Sequence, residues 1–238
     1  IPSRKDGGWS DDARGTFGWG MSASGLAAVW AAENTREAIV AAMRRREVYA
    51  TSGPRIAVRT YGGLNLPPTV LDTPGFPDSI KAQAVPMGGE IMGAGVGDRF
   101  SLAIEAQADP KSGHLDRIQV VKGWIDATGE TRERVYDAAW SGEDRLLPDG
   151  SLVAVGSSAD LNTGLTANTI GAPRLTAVWQ DPEFDPAQSA FYYVRVLQIP
   201  TARHSLLDKL ALGDEDINTR RPHTIQERAY TSPIWYRP

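Results

Sequence analysis

Apolar positions recur at two different periods along this chain, and the change between them falls near residue 56. Over residues 34–46 the stripe Ala38, Ile39, Ala42 and Met43 has helical spacing, with Arg36, Arg44 and Arg45 left for water. Asn34 is placed to cap the first turn, and Glu37 follows at the spacing of a capping box. Arg44, Arg45 and Arg46 fall in the last turn, where positive charge opposes the negative end of the helix dipole. This basic run therefore reads as a solvated helix end rather than an anion site. Just upstream, residues 25–32 (GLAAVWAA) form a short apolar run. Followed so closely by the capped helix, it reads as a strand leading into a helix, the unit from which α/β barrels are built.

Beyond Ile56 the period falls to two. Strands are predicted at 56–61, 79–85, 100–108, 115–124, 133–140, 175–180, 191–199 and 229–236, separated by turn-forming stretches such as GGLNLPP, PMGGEIMGAGVGD, DPKSGH and DPEFDPAQ. No helix-period segment of useful length intervenes, so the strands have no crossover helices to make them parallel. The expectation is a mainly β fold, an antiparallel β-sandwich over residues 55–238 preceded by a separate unit over residues 1–54. In FSLAIEAQA (residues 100–108), Phe100, Leu102 and Ile104 share one face, which predicts one buried side and one mixed side. Residues 144–172, rich in glycine, serine and asparagine, read as long excursions at one end of the sandwich, and 206–212 as a short helix or turn.

Composition narrows the function classes. A formal net charge of −4 and a pI near 5.5 give no basic footprint for nucleic acid. No run approaches the roughly 18 apolar residues of a membrane span. The chain has no cysteine, which excludes disulfides and thiolate metal sites and fits cytoplasm and periplasm alike. It opens on Ile1 and a polar, glycine-rich stretch that is not a signal peptide, so a processed chain or a piece of a longer one is expected. Residues 1–24 carry Trp9, Phe17 and Trp19 in a loop-like composition, in which Asp11, Asp12 and Arg14 read first as surface-loop charges in solvent and second as groups facing a site.

Candidate chemistry is sparse. His114, His204 and His223 lie far apart with no paired ligand spacing. There is no G-x-S-x-G elbow, and GGEIMGAGVG is followed by no Gly-Lys-Ser/Thr. Asp181, Glu183 and Asp185 in DPEFDP read as turn formers rather than an acid–base pair. Trp124, Trp140, Trp179 and Trp235 each stand at or near the end of a predicted strand, where a ring closes the core or offers a stacking surface to sugars and other planar ligands.

Four long phrases carry a resemblance. Residues 24–56, 113–142 (GHLDRIQVVKGWIDATGETRERVYDAAWSG), 168–201 (NTIGAPRLTAVWQDPEFDPAQSAFYYVRVLQIPT) and 224–238 (TIQERAYTSPIWYRP) closely resemble, in order, the C-terminal part of the domain-of-unknown-function 3604 family. That family looks related to the PHP (polymerase and histidinol phosphatase) superfamily of metal-dependent hydrolases, many of which act on phosphoesters from a distorted β/α barrel. The resemblance implies a bacterial hydrolase in which residues 1–54 are the strand-helix end of a PHP-like barrel and 55–238 an accessory sandwich. Divalent metals of the zinc, manganese or iron type are expected in the full-length protein. Their His-x-His and His/Asp ligands lie upstream of Ile1, on a barrel segment that would be this chain's partner. No catalytic or metal-binding role carries over to a residue of this chain; Asp11, Asp12, Arg14 and Trp19 are its expected substrate-lining residues. The alternative is a non-catalytic module binding carbohydrate or envelope ligands through exposed Trp124, Trp140, Trp179 and Trp235.

Overall fold

The structure, a computed structural model, describes residues 25–213 and 222–238. Strand β1 (Leu26–Val29) leads into helix α1 (Arg36–Arg44) and then β2 (Val48–Thr51). Thr35, not Asn34, is the N-cap: it holds an extended backbone, so its hydroxyl reaches the Ala38 N–H at 3.2 Å. The helix closes without glycine. Arg46 takes a left-handed φ of 62°, and the N–H groups of Arg46 and Glu47 donate back to the carbonyls of Met43 and Ala42. Arg45 ends its side chain on Glu47 at 2.8 Å. The strand and the helix follow in the expected order, but β1 pairs antiparallel with β2, so α1 spans a hairpin and not a parallel crossover. No β/α barrel unit is seen among the described residues, and the antiparallel pairing is the reason.

The remaining strands build two mainly antiparallel sheets and one small hairpin. The smaller has the order β4 (Ala84–Pro86), β3 (Ala57–Leu64), β6 (Phe100–Gln107) and β9 (Arg174–Gln180). In the larger, β8 (Thr131–Trp140) pairs with β7 (Leu115–Ile125), which runs along β10 (Ala190–Gln198). The other side of β10 is shared by β13 (Arg228–Thr231) and β14 (Ile234–Arg237). These are the two halves of the predicted 229–236 strand, broken at Ser232 and Pro233. β13 leads on to β2 and β1, whereas β14 takes β5 (Glu90–Met92) in the sheet's parallel pairing. β5 lies inside PMGGEIMGAGVGD, expected to be turn throughout. A small hairpin of β11 (Thr201–Ala202) and β12 (Thr224–Ile225) flanks helix α2 (His204–Leu212).

The core fills the space between the sheets. Ile56, Val58, Phe100, Leu102 and Ile104 from the small sheet's side meet Ile118, Val120, Tyr192, Val194, Val196 and Ile234 from the large one. Phe100 stacks on Tyr192 with centroids 3.9 Å apart. β6 departs from the expected mixed outer side. Its Ala103 is buried in a second cluster with Leu66, Val70, Ile80 and Ala84, because residues 65–83 fold back over the small sheet.

Candidate functional site

Alternation along β10 sends Ala190, Tyr192, Val194 and Val196 into the core and leaves Phe191, Tyr193 and Arg195 on the outer face of the large sheet. Opposite Phe191 on one side stands Gly123 of β7, and on the other Trp235 of β14. The Phe191 ring leans onto the space a side chain would fill: a Cβ at Gly123 would lie 2.2 Å from its Cζ. Trp235, 38 % exposed, sits against the same ring with centroids 5.3 Å apart at 50°. Tyr193 and Tyr230 continue the aromatic strip at 6.5 and 6.3 Å spacings.

At the end of these strands the strip opens into a cleft of about 940 Å³. Trp124, Phe191 and Trp235 give it aromatic walls, and Asp126, Arg132, Glu133, Asp185, Gln188 and Arg237 give it a polar rim. One wall is the loop between β9 and β10, which a buried polar latch holds in place. Asp181 at its root accepts hydrogen bonds from Lys122 Nζ at 2.6 Å, from the Tyr192 hydroxyl at 2.7 Å and from the Glu183 N–H at 2.9 Å. Lys122 also donates to the Glu183 carbonyl at 2.9 Å. The Glu183 carboxylate takes the Tyr136 hydroxyl at 3.0 Å and the Arg134 guanidinium. Farther along, Tyr236 donates to the Pro186 carbonyl at 2.7 Å and Gln188 to the Ile125 carbonyl at 3.2 Å. Burial, and then the Asp181 charge, pushes the Tyr192 phenol well above its ordinary range. Tyr136 is raised in the same way by burial and its bond to Glu183.

The rim charges are unevenly committed. Asp126 accepts from the Thr128 hydroxyl and from Arg132 Nε at 2.7 Å, bonds that hold its carboxyl below the usual range. Arg237 is engaged by Glu90. Among the described residues the Asp185 carboxylate accepts only the Ala187 N–H, at 2.9 Å, and the Glu133 carboxylate has no hydrogen-bond or ion-pair partner.

Over residues 1–238 the sequence matches the family described as "Protein of unknown function (DUF3604)". The chain belongs to the DUF3604 family. No curated protein and no solved structure matches it.

Of the four tryptophans singled out in this DUF3604 chain, the cleft brings together Trp124 and Trp235. Trp179 packs on the core, 5.1 Å from Tyr136 and 6.2 Å from Tyr192. Trp140 lies half-buried opposite Arg117, at the far end of β8. Asp11, Asp12, Arg14 and Trp19 lie outside the described residues. Sequence reasoning passed over Phe191, Gly123 and Glu133. The alternation in AFYYVRV does separate Phe191 from its core neighbours, but only the strand register places Gly123 and Glu133 beside it. As for the divalent metals implied by the resemblance, no three His, Asp or Glu side chains converge to hold one among the described residues.

Proposed function

We propose that the sandwich of this DUF3604 chain is a non-catalytic binding module that takes a saccharide into the aromatic cleft. The observation that carries the reading is Trp235, held partly exposed against Phe191 and facing a cleft that Trp124 also lines. A sugar ring has apolar C–H faces and a rim of hydroxyls. Aromatic walls suit the faces, and a rim of carboxylate, amide and guanidinium groups suits the hydroxyls. The latch through Lys122 and Asp181 fixes the wall before ligand arrives, which lowers the ordering cost of binding. The test is a titration of the chain's tryptophan fluorescence, backed by calorimetry, with a panel of oligosaccharides. Binding that disappears in Trp235→Ala supports the module; a wild-type chain that gives no heat and no spectral change with any of them overturns it.

The phrase-level resemblance of residues 24–56, 113–142, 168–201 and 224–238 supports a wider setting for the same module. In it, the sandwich is the accessory domain of a PHP-like metal-dependent hydrolase, its cleft lying at the substrate entrance and the metal ligands belonging to another segment. Metal analysis and phosphoesterase assays on residues 1–238 and on a longer protein test this setting. Stoichiometric metal and full activity in residues 1–238 alone would sink it.

A further inference from the structure

We propose that the ligand of the cleft bears a positive charge: it is an amine-bearing saccharide of the glucosamine type, whose ammonium sits between the Glu133 carboxylate and the aromatic walls. The inference rests on the saccharide reading above and sharpens its chemistry.

Every cation at or behind the cleft already has its counter-charge. Arg132 meets Asp126 at 2.7 Å, and Arg237 meets Glu90. Lys122, behind Trp124, is buried against Asp181. Two anions remain over. Among the described residues the Asp185 carboxylate makes no ion pair, and the Glu133 carboxylate makes neither an ion pair nor a hydrogen bond. The cleft thus offers unneutralised negative charge, which disfavours uronates and attracts cations.

Position makes the charge specific. Glu133 stands on β8 directly opposite Gly123, and Gly123 stands opposite Phe191. Since Gly123 has no side chain and the Phe191 ring leans over it, carboxylate and ring are neighbours on one face. The field of Glu133 reaches farther along the strip: after burial, it is the next cause raising the Tyr193 phenol. A carboxylate beside aromatic rings is the pairing that binds an ammonium group, with a charge-assisted hydrogen bond on one side and cation–π attraction on the other. A neutral sugar uses the rings and gives Glu133 only hydroxyl donors. N-acetylation of the amine removes the charge and so the advantage.

Calorimetric titration of the full chain at low ionic strength with hexamers of glucosamine, N-acetylglucosamine, glucose and galacturonate tests the proposal. The glucosamine hexamer is expected to bind about ten-fold tighter than the glucose and N-acetylglucosamine hexamers, with galacturonate weakest. Added salt shrinks the margin. In Glu133→Gln the margin between glucosamine and glucose disappears, with the folded state checked by circular dichroism. Equal binding of glucosamine and glucose hexamers by the wild-type chain, or a margin that survives in Glu133→Gln, overturns the ammonium site and leaves the saccharide reading standing. Failure of all four hexamers overturns the saccharide reading itself, and this inference with it.

Discussion

Lys122 and Asp181 meet at 2.6 Å with side chains only 3 % and 0 % exposed, so a complete ion pair lies inside the sandwich. Removing one partner leaves a buried charge without its counterpart. Lys122→Met is therefore expected to cost about 3–5 kcal/mol, read from urea denaturation midpoints. The joint change Lys122→Met/Asp181→Leu recovers only part of the loss, because the Tyr192 hydroxyl and the Glu183 N–H then lose their acceptor.

The same latch sets the response to alkali. Tyr192 has a folded pKa raised above its unfolded value, by burial first and then by Asp181. A raised group contributes stability that is whole below the unfolded pKa and declines as pH climbs above it, so the loss begins above about pH 10. Denaturation midpoints measured from about pH 8 to about pH 11 are expected to fall at the upper end, and less steeply in Tyr192→Phe. Tyr136, raised by burial and by Glu183, adds to the slope.

Gly123 separates binding from stability. Gly123→Ala places a methyl where the Phe191 ring now rests, and the atoms it meets are the free end of that ring. The ring can swing aside, and alanine in a strand interior loses less backbone entropy than glycine. Stability is expected to change by less than about 1 kcal/mol, while oligosaccharide affinity falls because the aromatic wall has moved. Thermal melts and titrations on the same sample separate the two effects.

At the start of α1 two neighbouring residues should behave differently. Thr35→Ala removes the hydroxyl that accepts the Ala38 N–H and is expected to cost about 1 kcal/mol. Asn34→Ala, one position outside the cap, is expected to cost within about 0.5 kcal/mol, the usual range for a surface change. Urea midpoints of the two variants decide which residue is the cap.

The strands easiest to read in the sequence are those with alternation and firm punctuation at both ends, such as Phe100–Gln107 and Arg174–Gln180. β5 escaped because it is three residues long, set among glycines, and stabilised by Trp235, Tyr236 and Arg237 far along the chain. The burial of both faces of β6 depends on where residues 65–83 fold, and FSLAIEAQA carries no trace of that. The pairing direction of β1 was hidden for a similar reason: a strand followed by a helix looks the same whether its next strand returns parallel or antiparallel. In the cleft, tryptophan announces itself as a stacking residue, which puts Trp124 and Trp235 within reach of sequence reasoning. Glu133 and Gly123 look ordinary in ETRERV and VVKGWI. They matter only through a register that runs from β8 across β7 to β10 and β14.

The break at Pro233 has a consequence for the order in which the molecule comes together. β1 and β2 reach the large sheet only through β13, where Thr51 is aligned with Ala229. During vectorial synthesis these strands leave the ribosome early and have no large-sheet neighbour to pair with until residues 228–231 follow. Until then their hold on the sandwich is through the small sheet, where the Trp30 indole N–H donates to the Val58 carbonyl at 2.8 Å and Arg59 lies over the Trp30 ring, and their outer edge is paired last.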